Sequence, residues 1–162
     1  MTTTEYNSCA DQYYDGVYRF ILKNIRDKDT AQDIVQESYV RMWERVKEIS
    51  FEKAKAYLFT TAYHTMIDHI RKYQRLTSIE DSYSETPDDS TEMFNDLKEV
   101  INEAVAKLPE IQRSVILLRD YEGYSYEEIG EITGLNESQV KVYIYRARTF
   151  LKQYIGSLDL VI

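Results

Sequence analysis

The chain has 162 residues, 43% apolar and 30% charged, with a net charge of −8 and one cysteine. That balance fits one ordinary globular domain or two small ones and excludes a disordered polymer. Cys9 alone cannot form an intrachain disulfide, and with only His64 and His69 beside it no structural zinc site is expected.

The first patterned stretch is Tyr13–Ile25, with Tyr14, Val17, Tyr18, Ile21 and Ile25 at helical spacing. Thr30 is a fitting N-cap with Asp33 three residues on, and opens a helix to about Val46 that turns Ile34, Ser38, Met42 and Val46 inward. A break near Ile49-Ser50-Phe51 leads to a long helix, about Lys53–Arg75, with Leu58, Ala62, Met66, Ile70 and Tyr73 as its apolar stripe. Residues 77–95 mix Ser, Thr, Pro87 and carboxylates with few apolar anchors and read as an interdomain linker. Helices follow over Leu97–Leu108 and, with Pro109 at a first turn, Ile111–Tyr121. No apolar pattern has period 2, so the expected class is all-α, with small helical domains over 1–76 and 96–162.

The last stretch is the most specific. Tyr126 to Lys141 reads as a short helix, a turn punctuated by Gly134 and a second helix from Asn136 or Glu137, which is helix-turn-helix grammar. On the second helix Val140, Ile144, Ala147 and Leu151 form a buried stripe. Lys141, Tyr145, Arg148 and Lys152 share one flank of it, with Arg146 on the other side. An amphipathic core helix with solvated cations would show the same stripe; the preceding helix and the glycine turn favour DNA binding.

Net acidity is unusual for a DNA binder, whose affinity comes largely from neutralising phosphates. Its distribution resolves this. Residues 1–75 carry 12 Lys/Arg against 11 Asp/Glu, and residues 97–162 carry 8 against 10. Residues 76–96 carry none against 7: Glu80, Asp81, Glu85, Asp88, Asp89, Glu92 and Asp96. Such a chain should bind naked DNA poorly and reach it with help.

Two further faces carry chemistry. On the 53–75 helix His64, Asp68, Arg71, Lys72 and Arg75 form a mostly cationic stripe interleaved with Tyr57, Phe59, Tyr63 and Tyr73, the side-chain types that stack on exposed bases. A solvated face with a His64–Asp68 contact is the alternative. On the 30–46 helix Asp33, Gln36, Glu37 and Glu44 accompany Tyr39 and Trp43, an acidic-aromatic face suited to protein rather than DNA. Trp43 buried in the core explains the same pattern.

Asp33 to Trp43 resembles the core-polymerase-binding helix of group IV (extracytoplasmic function) sigma-70 factors, and Ala56 to Lys72 looks like their region 2.3–2.4. Leu108 to Arg113 through Arg119 to Ile129 resembles the opening of region 4, and Val140 to Arg148 its recognition helix. The resemblance covers roughly residues 10–155 in the family's order. It departs at His64, where the family usually has Asn, and at Val142 and Tyr143, where it often has Ser and Arg.

This resemblance implies an alternative sigma factor for a stress- or signal-responsive regulon: a cytoplasmic specificity subunit of RNA polymerase with no catalytic residue, cofactor, metal or membrane insertion. Asp33, Gln36, Glu37 and Trp43 would contact core polymerase. Ser50, Phe51, His64, Asp68, Arg71, Lys72 and Arg75 would bind the promoter −10 element, His64 and Asp68 at base edges and the cations at phosphates. Arg119, Ser138, Lys141, Tyr145, Arg146 and Arg148 would face the −35 duplex. The acidic linker would mimic nucleic-acid charge along the polymerase channels, and an anti-sigma factor would restrain the protein. The rival is a self-sufficient helix-turn-helix regulator with residues 1–75 as a dimerisation or ligand module. An enzyme is disfavoured, because no P-loop, Gly-rich dinucleotide turn or nucleophile elbow is present.

Overall fold

The computed structural model describes residues 1–77 and 97–159, and every regular element among them is helical. Helix α1 spans Thr3–Ile25 and starts ten residues before the apolar pattern does. Its start is set by a reciprocal cap: the Glu5 amide donates to the Thr2 hydroxyl at 3.1 Å and the Thr2 amide to the Glu5 carboxylate at 2.8 Å. It ends at Arg26, whose left-handed backbone (φ 61°) turns its N–H onto the Leu22 carbonyl.

Helix α2 spans Lys28–Glu44. Its N-cap is Asp27, not Thr30; the Thr30 hydroxyl donates to the Asp27 carboxylate at 2.6 Å from inside the first turn. The helix stops short of Val46, so Val46 is only half-buried beyond its end. After a single 3-10 turn over Phe51–Lys53, helix α3 spans Ala54–Thr77. Its buried side is Leu58, Phe59, Ala62, Tyr63, Met66 and Ile67. From Arg71 to Leu76 every side chain is exposed, so Tyr73, 58% accessible, does not continue the apolar stripe. The expected linker lies outside the described residues, apart from Thr77, which ends α3.

Helix α4 spans Leu97–Ala106 and α5 spans Glu110–Ile116, with Pro109 at its N-cap. The expected helix to Tyr121 is unbroken, but its last turn changes pitch. Leu117–Tyr121 widens into a π-turn, closed by the Glu122 amide on the Leu117 carbonyl at 3.1 Å. Helices α6, Tyr126–Thr133, and α7, Glu137–Asp159, complete the fold.

Helices α1, α2 and α3 pack together, as do α4 to α7, and the groups meet where α3 touches α6 and α1 touches α5. One apolar cluster runs through both, from Cys9 and Phe20 through Phe59 to Tyr124, Ile129 and Ala147. The seam carries polar pairs as well. Arg19 meets the largely buried Glu122 carboxylate through two 3.0 Å hydrogen bonds. Buried Asn24 donates to the Phe20 carbonyl at 3.0 Å, while its carbonyl oxygen accepts from Arg113 Nε at 3.0 Å and Ser114 at 3.3 Å.

Candidate nucleic-acid interface

Helix α6 begins at a capping box between Ser125 and Glu128 (3.1 and 2.8 Å) and ends at Gly134, whose φ of 84° only glycine adopts without strain. Gly130 serves a second need. A Cβ there would lie 2.7 Å from the Leu135 carbonyl oxygen, so its bare backbone lets the turn fold tightly against α6. Asn136 and Gln139 then exchange hydrogen bonds of 2.8 and 3.0 Å and start α7. Ile129 and Ile132 of α6 and Val140, Ile144 and Ala147 of α7 are buried. That packing fixes the α7 face turned outward.

Ser138, Lys141, Tyr145, Arg146 and Arg148 are all exposed on α7. Most of these cations are held rather than loose. Lys141 pairs with Glu137 at 3.2 Å, and Arg148 with Asp120 at 2.6 Å. The Asp120 carboxylate keeps the Arg148 guanidinium still more firmly protonated. Arg146 lies over the Tyr143 ring at 5.8 Å. Arg119, half-buried in the π-turn, donates to the Tyr124 carbonyl at 2.9 Å and covers the Tyr126 ring at 4.6 Å. Lys141 approaches the same ring at 5.7 Å. Tyr126 thus gathers Arg119 and Lys141 beside the turn, a role that sequence spacing alone did not reveal.

On α3, His64, Asp68, Arg71, Lys72 and Arg75 all face solvent on one stripe. Of the interleaved aromatics, Phe59 and Tyr63 are core side chains, 1% and 5% exposed, and are unavailable for stacking on bases. Two open clefts adjoin the stripe's beginning. One of about 440 Å³ is lined by Arg41, Glu44, Arg45, Tyr57, Thr60, Thr61 and His64. The other, of about 460 Å³, is lined by residues that include Ser50, Lys53, Tyr57 and Thr60. Ser50 and His64 therefore stand on either side of Tyr57 and Thr60, while half-buried Phe51 lines neither cleft. Arg41 and Arg45 enter only because the end of α2 lies against α3, which no local spacing announces.

Asp33, Gln36, Glu37 and Trp43 are exposed on one face of α2. Trp43 is 47% accessible and rests edge-on against Tyr6 at 5.0 Å, so it is not a core residue. Tyr39 is buried instead, its hydroxyl donating to the Cys9 carbonyl at 3.1 Å. Val40, 54% exposed, falls between Glu37 and Trp43 and belongs to the same face.

Among the described residues no helix is long and apolar enough to cross a membrane, and no cluster of His, Cys, Asp or Glu could hold a metal. Residues 9–76 match the family model of sigma-70 region 2 and residues 98–151 that of sigma-70, region 4. The chain is 30% identical over 144 residues to the ECF RNA polymerase sigma factor SigM of Bacillus subtilis, covering 86% of this chain and 88% of that one. It is also 30% identical over 155 residues to RNA polymerase sigma factor SigV of the same organism, covering 94% and 92%. In fold it is similar to RpoE of Bartonella quintana, solved with the anti-sigma factor NepR, at a TM-score of 0.78 and 21% identity over 95% of this chain and 98% of that one. Both halves, in this order and at this coverage, place the chain in the sigma-70 family as an ECF-type alternative sigma factor, a transcription initiation factor.

Proposed function

We propose that the three outward faces divide the work of promoter recognition. The acidic α2 face of Asp33, Gln36, Glu37, Val40 and Trp43 docks on core RNA polymerase, with Trp43 as the anchor. Residues 1–76 form the unit that holds the −10 element. Arg71, Lys72 and Arg75 take phosphates, and Ser50 and His64, beside the Tyr57 clefts, take an unstacked base with Asp68 at its edge. Residues 96–162 read the −35 duplex through α7 and Arg119, and residues 77–95 connect the two units. The protein acts in the cytoplasm, catalyses nothing itself and needs no cofactor. An anti-sigma partner, like that of the Bartonella relative, restrains it.

The observation that carries this reading is the opposed character of the faces. α2 presents carboxylates around an exposed tryptophan, whereas α3 and α7 present cations. A lone DNA-binding regulator would use the first only to pair with a second copy.

The test is reconstitution. Mixed with bacterial core RNA polymerase, the protein is expected to form a stable assembly and select start sites from a promoter library, while binding the same duplexes weakly alone. Failure to assemble, or tight duplex binding by the isolated chain, would overturn the reading.

A further inference from the structure

The centre of the α7 reading face is apolar. At 100° per residue, buried Val140, Ile144 and Ala147 mark the inner side, and Val142 points directly away from it. Val142 is 45% exposed. Ser138 four residues before it, Tyr145 three after and Arg146 four after border it on the same face. Tyr145 is 72% exposed, so two large apolar side chains stand one turn apart in solvent. A single exposed valine is ordinary. A β-branched residue with no packing to favour it, joined to an exposed ring at the middle of a cation-flanked reading helix, is not.

Every base edge in the major groove offers hydrogen-bond donors or acceptors, and thymine alone adds a methyl group, at C5. An isopropyl group against any other edge removes water from a polar atom and returns no bond, which disfavours that base. Against a methyl group it removes apolar surface from water on both sides.

Resting on the assignment of α7 to the −35 duplex, we propose that Val142, flanked by the Tyr145 ring, is a specificity determinant that selects thymine in the −35 element through its C5-methyl group. Ser138 and Arg146 hydrogen-bond to neighbouring bases or phosphates, and Val142 supplies the one contact they cannot make.

The experiment uses holoenzyme, formed from the full chain and bacterial core RNA polymerase, on a promoter selected by transcription from a library. Each −35 thymine is replaced singly by deoxyuridine, which keeps every donor and acceptor and lacks only the methyl. One position is expected to lose about fourfold in affinity, the value for one buried methyl-sized group; the others should lose nothing. Val142→Ala, with less apolar surface to offer, should reduce the preference for thymine over uridine, whereas Val142→Ile should keep it. A selected −35 element without thymine, equal binding of all uridine duplexes, or an undiminished preference in Val142→Ala would overturn the proposal. Should promoter affinity not depend on the −35 sequence at all, the assignment of α7 falls too; a retained −35 dependence without thymine preference removes only the methyl contact.

Discussion

Phe59 of α3 and Tyr124, just ahead of α6, meet edge to face with centroids 5.3 Å apart and ring planes at 73°. Phe20 of α1 packs on the other side of Phe59 at 5.7 Å, which makes Phe59 the bridge between the two helical groups. Phe59→Ala is expected to cost about 3–5 kcal/mol in denaturant unfolding. Tyr124→Phe should be neutral or stabilising by up to about 1 kcal/mol, because the buried hydroxyl has no hydrogen-bond partner. A clear loss in that variant would show that the hydroxyl is satisfied after all.

Asn24, Arg113 and Ser114 are predicted to act as a unit. Burial lowers the pKa of the Arg113 guanidinium, which also donates to the Leu108 carbonyl at 2.9 Å. Replacing Asn24 with Ala leaves Arg113 Nε and the Ser114 hydroxyl short of a partner, at about 1–3 kcal/mol. Asn24→Ala combined with Ser114→Ala should cost less than the two single losses together. Strict additivity in that double-mutant cycle would contradict the network.

Two carboxylates give pH dependences of opposite sign. Glu128 is held below its usual pKa by the Ser125 amide and hydroxyl, so its cap stabilises above the unfolded value, about 4.3, and is lost as pH falls through the folded one. Glu128→Ala should cost roughly 1 kcal/mol at neutral pH, shrinking on acidification. Burial raises Glu110, against the pull of Arg113 and Arg71, so its charge opposes folding increasingly as pH rises from about 4.3 through the folded value. Glu110→Gln should therefore be stabilising at pH 7 and neutral below about pH 4. Urea melts of both variants at the two ends of this range check the signs.

Phosphate contacts reveal themselves through salt. In holoenzyme, Lys141→Ala should weaken promoter binding across all sequences and reduce the slope of log affinity against log salt by about 0.9, the value for one phosphate. Asp120→Asn removes the partner of Arg148 and a negative charge near the reading face, and should tighten binding, most visibly at low salt. An unchanged slope in Lys141→Ala would take that residue off the DNA.

Trp43→Ala should leave the fold intact, since the ring is half exposed and leans on Tyr6 rather than sitting in the core. If it anchors the polymerase contact, its loss costs at least about 2 kcal/mol of binding, close to a thirtyfold weaker assembly with core enzyme. Titration by fluorescence anisotropy reads this directly.

Much of this architecture is written locally. The helices after Ile25 to within a few residues, the glycine turn at Gly134 and three of the four positions in the α7 stripe follow from spacing and backbone preference; Leu151, the fourth, is only half-buried. What the sequence concealed depends on neighbours distant in the chain. Phe59 and Tyr63 look like base-stacking side chains, yet both are buried, Phe59 against Phe20 of α1 and Tyr124, and Trp43 looks as fit for the core as Tyr39 until Tyr6 meets both rings. The early start of α1 was hidden for a different reason. Thr2 and Glu5 cap a segment too polar to show an apolar rhythm.

The wide last turn of the helix that ends at Tyr121 also has a consequence for the α7 face. A wide turn places Arg119 and Asp120 on a rim whose direction is set by one extra backbone residue, not by the helix that precedes it. Because Asp120 grips Arg148 of α7 and Leu117 and Leu118 are buried, a residue gained or lost in that rim would shift the carboxylate and the guanidinium it holds together. One bend thereby sets how firmly the outward guanidinium of the last helix is tethered.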